Sequence, residues 1–179
     1  LEICRLIVEK KLDITWAAIS RVDRIDEEML KAMRMAGCIQ ISFGVESGSE
    51  KIRNILNKRF NDDQIRRAFA LTVSYGILAR AYIIYGSPGE STDTVQDTIR
   101  LLNDIQPLVT IFHILALFPG TYLFDLYKSE TGATDDIWLY REEDLPFFEV
   151  DTNLSAEMVS KFGKQIKQVL QERIPTFIQ

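Results

Sequence analysis

Apolar positions along the chain keep switching between two periods. Leu1, Ile3, Cys4, Ile7 and Val8 follow helical spacing from the first residue, so the chain begins inside a helical pattern with no cap before it. Residues 12–18 then alternate Leu12, Ile14 and Trp16 against Asp13, Thr15 and Ala17, which predicts a strand. Asp26, Glu27 and Glu28 open a helix, with acids suited to its positive amino end. That helix carries Met29, Leu30, Met33 and Ala36 and stops at Gly37. Residues 39–45 predict a second strand. Ser49 starts a short helix through Leu56, and Asn61 or Asp62 caps a longer one ending at Gly76. A third strand over 77–85, a helix over 91–105, a fourth strand over 109–118 and a helix to Lys128 complete the series.

Strands alternating with helices at this interval imply βαβ units and a parallel sheet. The rhythm covers residues 1–130. Beyond Gly132 it breaks, and residues 131–179 form a separate segment. There Trp138, Tyr140, Phe147 and Phe148 flank the acidic run Arg141, Glu142, Glu143, Asp144, which reads as a solvated surface. A last helix is predicted from the cap Ser155 to about Arg173, with Met158, Phe162, Ile166, Val169 and Leu170 on one stripe.

The composition of the 179 residues, 46% hydrophobic and 26% charged, is that of a soluble globular domain. A net charge of −5 argues against non-specific nucleic-acid binding, which needs a basic face. No apolar run approaches the roughly 20 residues of a membrane span. Cys4 and Cys38 belong to no Cys-x-x-Cys pair, so these residues make no metal site of their own. Both are expected to pack as small hydrophobes in a reducing, cytoplasmic setting.

Two signatures stand where chemistry is expected. Phe43-Gly44-Val45-Glu46-Ser47-Gly48-Ser49 and Gly86-Ser87-Pro88-Gly89-Glu90 each place glycines and an acid after a short apolar strand. In the first strand of the pair, Ile39, Ile41, Phe43 and Val45 point one way and Gln40, Ser42, Gly44 and Glu46 the other. The small polar set suits a ligand-filled lumen. Glu46 then stands at the carboxyl end of the strand, where α/β barrels place their active sites. Ser47, Gly48 and Ser49 are open to two readings: amides presented to an anion, or a plain turn and helix cap. Gly86 permits close backbone approach and Pro88 stiffens the turn. His113, the only histidine, reads first as a satisfied core residue and second as a substrate contact. Tyr82, Tyr85 and Trp16 read the same way, core first and substrate wall second.

Taken as an ordered set, Met-x-x-Ala-Gly-Cys, Gly-Val-Glu-Ser-Gly-Ser, Asn-Lys, Gly-x-Pro-Gly-Glu and Phe-Pro-Gly-Thr resemble the radical S-adenosylmethionine (SAM) enzymes, especially those with a cobalamin-binding domain. The resemblance covers Leu1 to about Lys128. It implies an α/β fold, a partial (βα) barrel whose third to sixth strands are the four here. It also implies an oxidoreductase or transferase that cleaves SAM reductively with a 4Fe-4S cluster, acts on a small molecule, and can draw on cobalamin held upstream. By resemblance, Glu46 sits by the ribose and methionyl part of SAM, and Ser47 beside it belongs to the cofactor-binding set. Lys58 matches a basic residue near the SAM carboxylate, Arg21 serves the same polar end, and Gly86 and Pro88 border the adenine. Tyr82 stands where several relatives carry an acid for the ribose. The Cys-x3-Cys-x2-Cys loop that holds the cluster in this family has no counterpart in the chain.

The chain is therefore expected to supply part of a SAM- and substrate-binding wall and to be inactive alone. Two other readings stand beside it. One is a non-catalytic interaction module, in which an open sheet edge drives a homo-oligomer. The other is a cluster-independent α/β enzyme that binds a phosphorylated ligand.

Overall fold

The computed structural model of the chain describes residues 1–138. The predicted C-terminal helix and the acidic run lie outside the described residues. Four parallel strands, β1 (Trp16–Ser20), β2 (Cys38–Glu46), β3 (Leu78–Tyr85) and β4 (Val109–Ile114), form one sheet in sequence order. The helices are α1 (Glu2–Glu9), α2 (Glu27–Met35), α3 (Glu50–Ile55), α4 (Asp62–Ser74), α5 (Thr92–Ile105) and α6 (Tyr122–Thr131). The architecture is the α/β, parallel, open arrangement the sequence implies. β1 is hydrogen-bonded on one side only among the described residues, which leaves an edge.

The core lies between the sheet and its helices. Ile41, Phe43 and Val45 of β2 and Ala79, Ala81 and Ile83 of β3 face Leu30, Met33, Ile65, Phe69 and Val95. Phe43 and Phe69 meet with ring centroids 5.1 Å apart. Cys4 and Cys38 are free and buried in this core, packing as small hydrophobes. A smaller cluster of Leu115, Leu117 and Phe124 lies under α6. Among the described residues no helix is long and apolar enough to cross a membrane.

Three local expectations need correction. The fourth strand ends at Ile114 rather than at residue 118, where the chain turns toward α6. The first strand begins at Trp16 rather than at residue 12. Helix α1 ends in a six-to-one turn, with Leu12 N–H on the Ile7 carbonyl and Lys11 left-handed at φ 51°. Leu12 and Ile14 are spent getting from that turn to the sheet and stay exposed. The first rung comes only at Trp16, whose N–H reaches the Gly37 carbonyl at 3.1 Å. Ile39 also leaves the face assigned to it. Trp16 pairs with Cys38 but Ala17 pairs with Gln40, so Ile39 is an extra residue in a bulge, 43% exposed.

Helix caps set the loops at the carboxyl ends of the strands. Asn61 and Gln64 form a reciprocal capping box on α4, and Ser91 and Thr94 form one on α5. Helix α3 ends with Asn57 left-handed at φ 56° and Lys58 N–H on the Arg53 carbonyl at 2.7 Å. That turn sends Lys58 back toward the end of β2. The loop after β3 is built on Glu90, which is buried. Its Oε2 accepts from Gly86 N–H at 2.5 Å and from Ser87 N–H at 3.1 Å.

The loop after β2 is pinned to α5 at a point with no spare room. A Cβ on Gly48 would lie 2.3 Å from Thr98 Cα and 2.5 Å from the Asp97 carbonyl oxygen. Both obstacles are backbone, so nothing can swing aside. Gly48→Ala is expected to destabilise the fold by about 1–3 kcal/mol, measured as a lower urea midpoint with unchanged m-value. A midpoint equal to that of the parent chain would refute the tight contact.

Burial pushes the Glu90 carboxyl above its ordinary value of 4.5, against the two amide hydrogen bonds that lower it. A raised folded pKa means that the native state holds the proton longer. The stability from the protonated form is complete below the ordinary value and is lost as pH rises through the folded one. Glu90→Gln keeps an acceptor for the amides and removes the titration. The stability of the parent chain relative to Glu90→Gln should therefore fall with rising pH just above 4.5 and then level off. Urea midpoints of both proteins from about pH 4 to about pH 8 check this. A difference independent of pH would contradict it.

Candidate functional site

Strand β2 ends in strain. Glu46 has φ 68°, a left-handed value for a residue with a Cβ, and Ser47 N–H closes onto the Val45 carbonyl at 2.9 Å. This is a γ-turn of the rare positive-φ kind. It coincides with a register shift: Gly44 pairs with Tyr82, but Glu46 pairs with Ile83. The extra residue and the turn re-aim the Glu46 side chain over the open face of the sheet.

The carboxylate then lies directly above Gly44. A Cβ there would meet Glu46 Oε1 at 2.6 Å and Lys58 Nζ at 3.4 Å. Lys58 Nζ in turn sits 2.8 Å from Glu46 Oε1. The glycine, the acid and the lysine thus form one cradle, assembled from the end of β2 and the turn after α3. A side chain at 44 would displace this ion pair, because the two side-chain tips occupy the space it would fill.

This cradle borders a groove of about 610 Å3 on the open face. Its lining includes Ser20 at the end of β1, Arg21 and Arg24 after it, Gly44 and Glu46 of β2, Tyr82 and Ile84 of β3, and His113 of β4. Arg21 is held bidentate by Asp23, at 2.9 and 3.0 Å, and stacks 5.7 Å from the centre of the Phe60 ring. Its pKa is raised, mainly by the hydrogen bonds to Asp23. The rings of Tyr82 and His113 meet at 5.7 Å with a 41° tilt.

Of the residues singled out in the sequence, Glu46, Lys58, Tyr82 and Arg21 come together in this groove. Ser47, Gly86 and Pro88 are buried and do not line it. Ser47 works from behind. Its hydroxyl accepts from Ser49 N–H at 3.1 Å and meets Thr98 Oγ1 at 3.3 Å, while its carbonyl accepts from the buried Arg53 at 2.9 Å. The anion-binding reading of Ser47, Gly48 and Ser49 is corrected by the same bonds. Ser47 N–H goes to Val45, Gly48 N–H to Thr98 Oγ1 at 2.9 Å and Ser49 N–H to Ser47 Oγ, so all three amides are engaged internally.

His113 is exposed in the groove and not a core residue, another correction. Trp16 belongs to the core margin, its Nε1–H donating to the Ala36 carbonyl at 2.7 Å. Tyr85 is half-buried, with its hydroxyl pKa raised by burial, and does not line the groove. Sequence reasoning picked Arg21 from this segment and missed its neighbours Ser20 and Arg24, because with the first strand ended at residue 18 neither stood out at the strand's carboxyl end.

The Radical SAM superfamily profile matches residues 1–102 of the chain. An uncharacterized methyltransferase of Pyrococcus horikoshii is 32% identical over 125 residues, which is 70% of this chain and 27% of that protein. The anaerobic magnesium-protoporphyrin IX monomethyl ester cyclase of Rubrivivax gelatinosus is 29% identical over 126 residues, 69% of this chain and 23% of that one. The chain thus spans about a quarter of the length of these relatives. Among solved structures, the radical SAM methyltransferase TsrM of Kitasatospora setae, with cobalamin and a [4Fe-4S] cluster bound, superposes with a TM-score of 0.67 at 21% identity. That match covers 72% of this chain and 27% of TsrM. Coproporphyrinogen III oxidase of Escherichia coli reaches the same TM-score at 16% identity, over 96% of this chain and 36% of that one. These are folds of the same kind, and with a family profile over more than half of its length the chain belongs to the radical SAM superfamily.

Proposed function

We propose that this chain forms one wall of the SAM and substrate chamber of a radical SAM enzyme of the oxidoreductase or methyltransferase kind. The observation that carries the reading is the cradle of Gly44, Glu46 and Lys58 opening onto the groove. A strained acid held by a lysine, over a glycine that leaves room for it, is pre-organised to meet a ligand's hydroxyls and carboxylate. In this reading Glu46 faces the ribose and methionyl part of SAM, and Lys58 and Arg21 face its carboxylate. Tyr82 supports the nucleoside side, Gly86 and Pro88 border the adenine through their backbone, and Ser47 positions Glu46.

A 4Fe-4S cluster has no home on these residues. Cys4 and Cys38 are buried in the core, and among the described residues no group of three or more His, Cys, Asp or Glu could hold a metal ion. The cluster ligands, and any cobalamin site, belong to other residues of the protein in which this chain works. The chain alone is then inactive. SAM bound in the complete protein supplies a radical or a methyl group; these residues bind it, orient it and exclude water. The setting that goes with this reading is reducing and cytoplasmic.

Calorimetric titration with SAM tests the wall. The chain is expected to bind SAM, and Glu46→Gln, Lys58→Met and Gly44→Ala are each expected to weaken binding about tenfold, or about 1.4 kcal/mol. Equal affinities in all four proteins would exclude the cradle as the SAM site. Anaerobic reconstitution of the chain with iron and sulfide should give neither 4Fe-4S absorbance nor 5′-deoxyadenosine from SAM. Either product would show that the cluster ligands lie within the chain.

The open edge supports a second reading of the isolated chain. β1 has one neighbour, and Ile19 on it is 76% exposed. An unpaired strand with apolar residues invites pairing with another copy. Light scattering over a rising concentration series should show a dimer or larger assembly, and a strict monomer throughout would rule this out.

A further inference from the structure

The open face of the sheet carries a charge that no described residue neutralises. Arg80 is the third residue of β3, toward its amino end, with Ser42 of β2 and Val109 of β4 as its register partners. Ala79 and Ala81 on either side of it point into the helix-side core. Arg80 therefore takes the opposite face, the one that carries the groove residues Gly44 and Tyr82. Tyr82 lies two residues further along the strand, about 7 Å away.

Arg80 is half-buried, and its Nε is fully shielded without a hydrogen-bond partner. It makes no ion pair with any described carboxylate. Lys58 is matched by Glu46 and Arg21 by Asp23, whereas Arg24 stands exposed at the rim with no ion pair among the described residues. Four cations thus face two acids, in a chain whose overall charge is −5. A guanidinium cannot shed its proton to escape an apolar setting. A shielded N–H without an acceptor is unfavourable. Only Nε is shielded; the two terminal nitrogens of Arg80 are open to an incoming group, and the planar fork matches carboxylate or phosphate.

We propose that Arg80, which stands on the open face beside the groove without lining it, binds a carboxylate or phosphate group of a molecule that extends from the groove along that face, and so selects an acidic substrate. The buried Ser42 shares its row and offers a hydroxyl beside it. The inference rests on reading the groove as the reaction chamber, but it concerns the floor beneath Tyr82, away from the Glu46 cradle.

The test uses the whole chain, with succinate and inorganic phosphate as separate probes and SAM as a third ligand. The Arg80 Nε–H signal is followed by proton–nitrogen NMR. Either anion is expected to shift it saturably, and the tighter of the two names the class of anion. Arg80→Gln should weaken anion binding at least tenfold, or about 1.4 kcal/mol, and Arg80→Lys should fall between. SAM affinity should stay within about twofold in both variants, which also shows that they fold. Anion affinity unchanged in Arg80→Gln would overturn the proposal. So would a signal that moves with neither probe, as when an acid from residues 139–179 already holds the guanidinium. Anion binding without SAM binding would sustain Arg80 and defeat the SAM wall. SAM binding without anion binding would defeat Arg80 alone.

Discussion

Between Gly48 and Thr98 there is no room for a methyl group, and the rest of the site depends on that contact. The end of β2 touches the backbone of α5, where a Cβ would come within 2.3 Å of Thr98 Cα. Thr98 Oγ1 accepts from the Gly48 amide at 2.9 Å and its hydroxyl donates to the Thr94 carbonyl at 3.1 Å. The helix that follows the second signature thereby fixes the loop of the first. The reverse also holds, since Lys51 of α3, which follows the first, donates to the Gly89 carbonyl of the second at 3.2 Å. The two signatures are distant in sequence but form one mechanical unit.

That unit is what allows Glu46 to be strained. A non-glycine residue in a positive-φ γ-turn costs on the order of 1–3 kcal/mol and persists only where its surroundings over-determine it. Here the constraints are visible. Ser47 N–H closes the turn, Arg53 holds the Ser47 carbonyl, and Asp62 holds Arg53 in turn at 2.5 Å. Lys58 restrains the carboxylate itself. The strain therefore buys a fixed carboxylate above Gly44, at the place where a ligand on the open face would meet it. A relaxed strand end would carry the acid past the sheet and out of the groove.

The alternation of elements was legible because α2, α4, α5 and α6 carry side-chain caps and the helices carry apolar stripes. Asn61 with Gln64, Ser91, Gly37 and Gly76 all do what their residue types announce. What was not legible depends on partners remote in sequence. Leu12 and Ile14 alternate like a strand, but β2 starts at Cys38 and offers them nothing to pair with. Ile39 keeps strand parity in the sequence and loses it to a bulge that exists only in the pairing with β1. His113 has the parity of an interior residue. On an open sheet, however, parity separates a helix-covered face from a groove, not inside from outside. Gly44 is the clearest case. Its neighbours suggested a small polar face, but its reason for being glycine is an ion pair formed by residues 46 and 58.

Glu46 and Glu90 show why a motif's acid cannot be assigned from its position alone. Both follow a short strand and a glycine, and in the sequence they look equivalent. Glu90 has turned inward: it is 3% exposed and bonded to the amides of Gly86 and Ser87, so its loop is built around it. One oxygen of this carboxylate is committed to the two amides, and its burial favours the protonated form. Glu46 is nearly as buried, but its one partner is a lysine side chain at the groove rather than backbone. A lysine is a flexible point charge and can exchange partners when a ligand brings its own anion and hydroxyls. Backbone amides fixed in a tight turn cannot. The difference between a structural acid and a binding acid here lies in what holds the carboxylate, and that is set by the turn after α3 that returns Lys58 to β2.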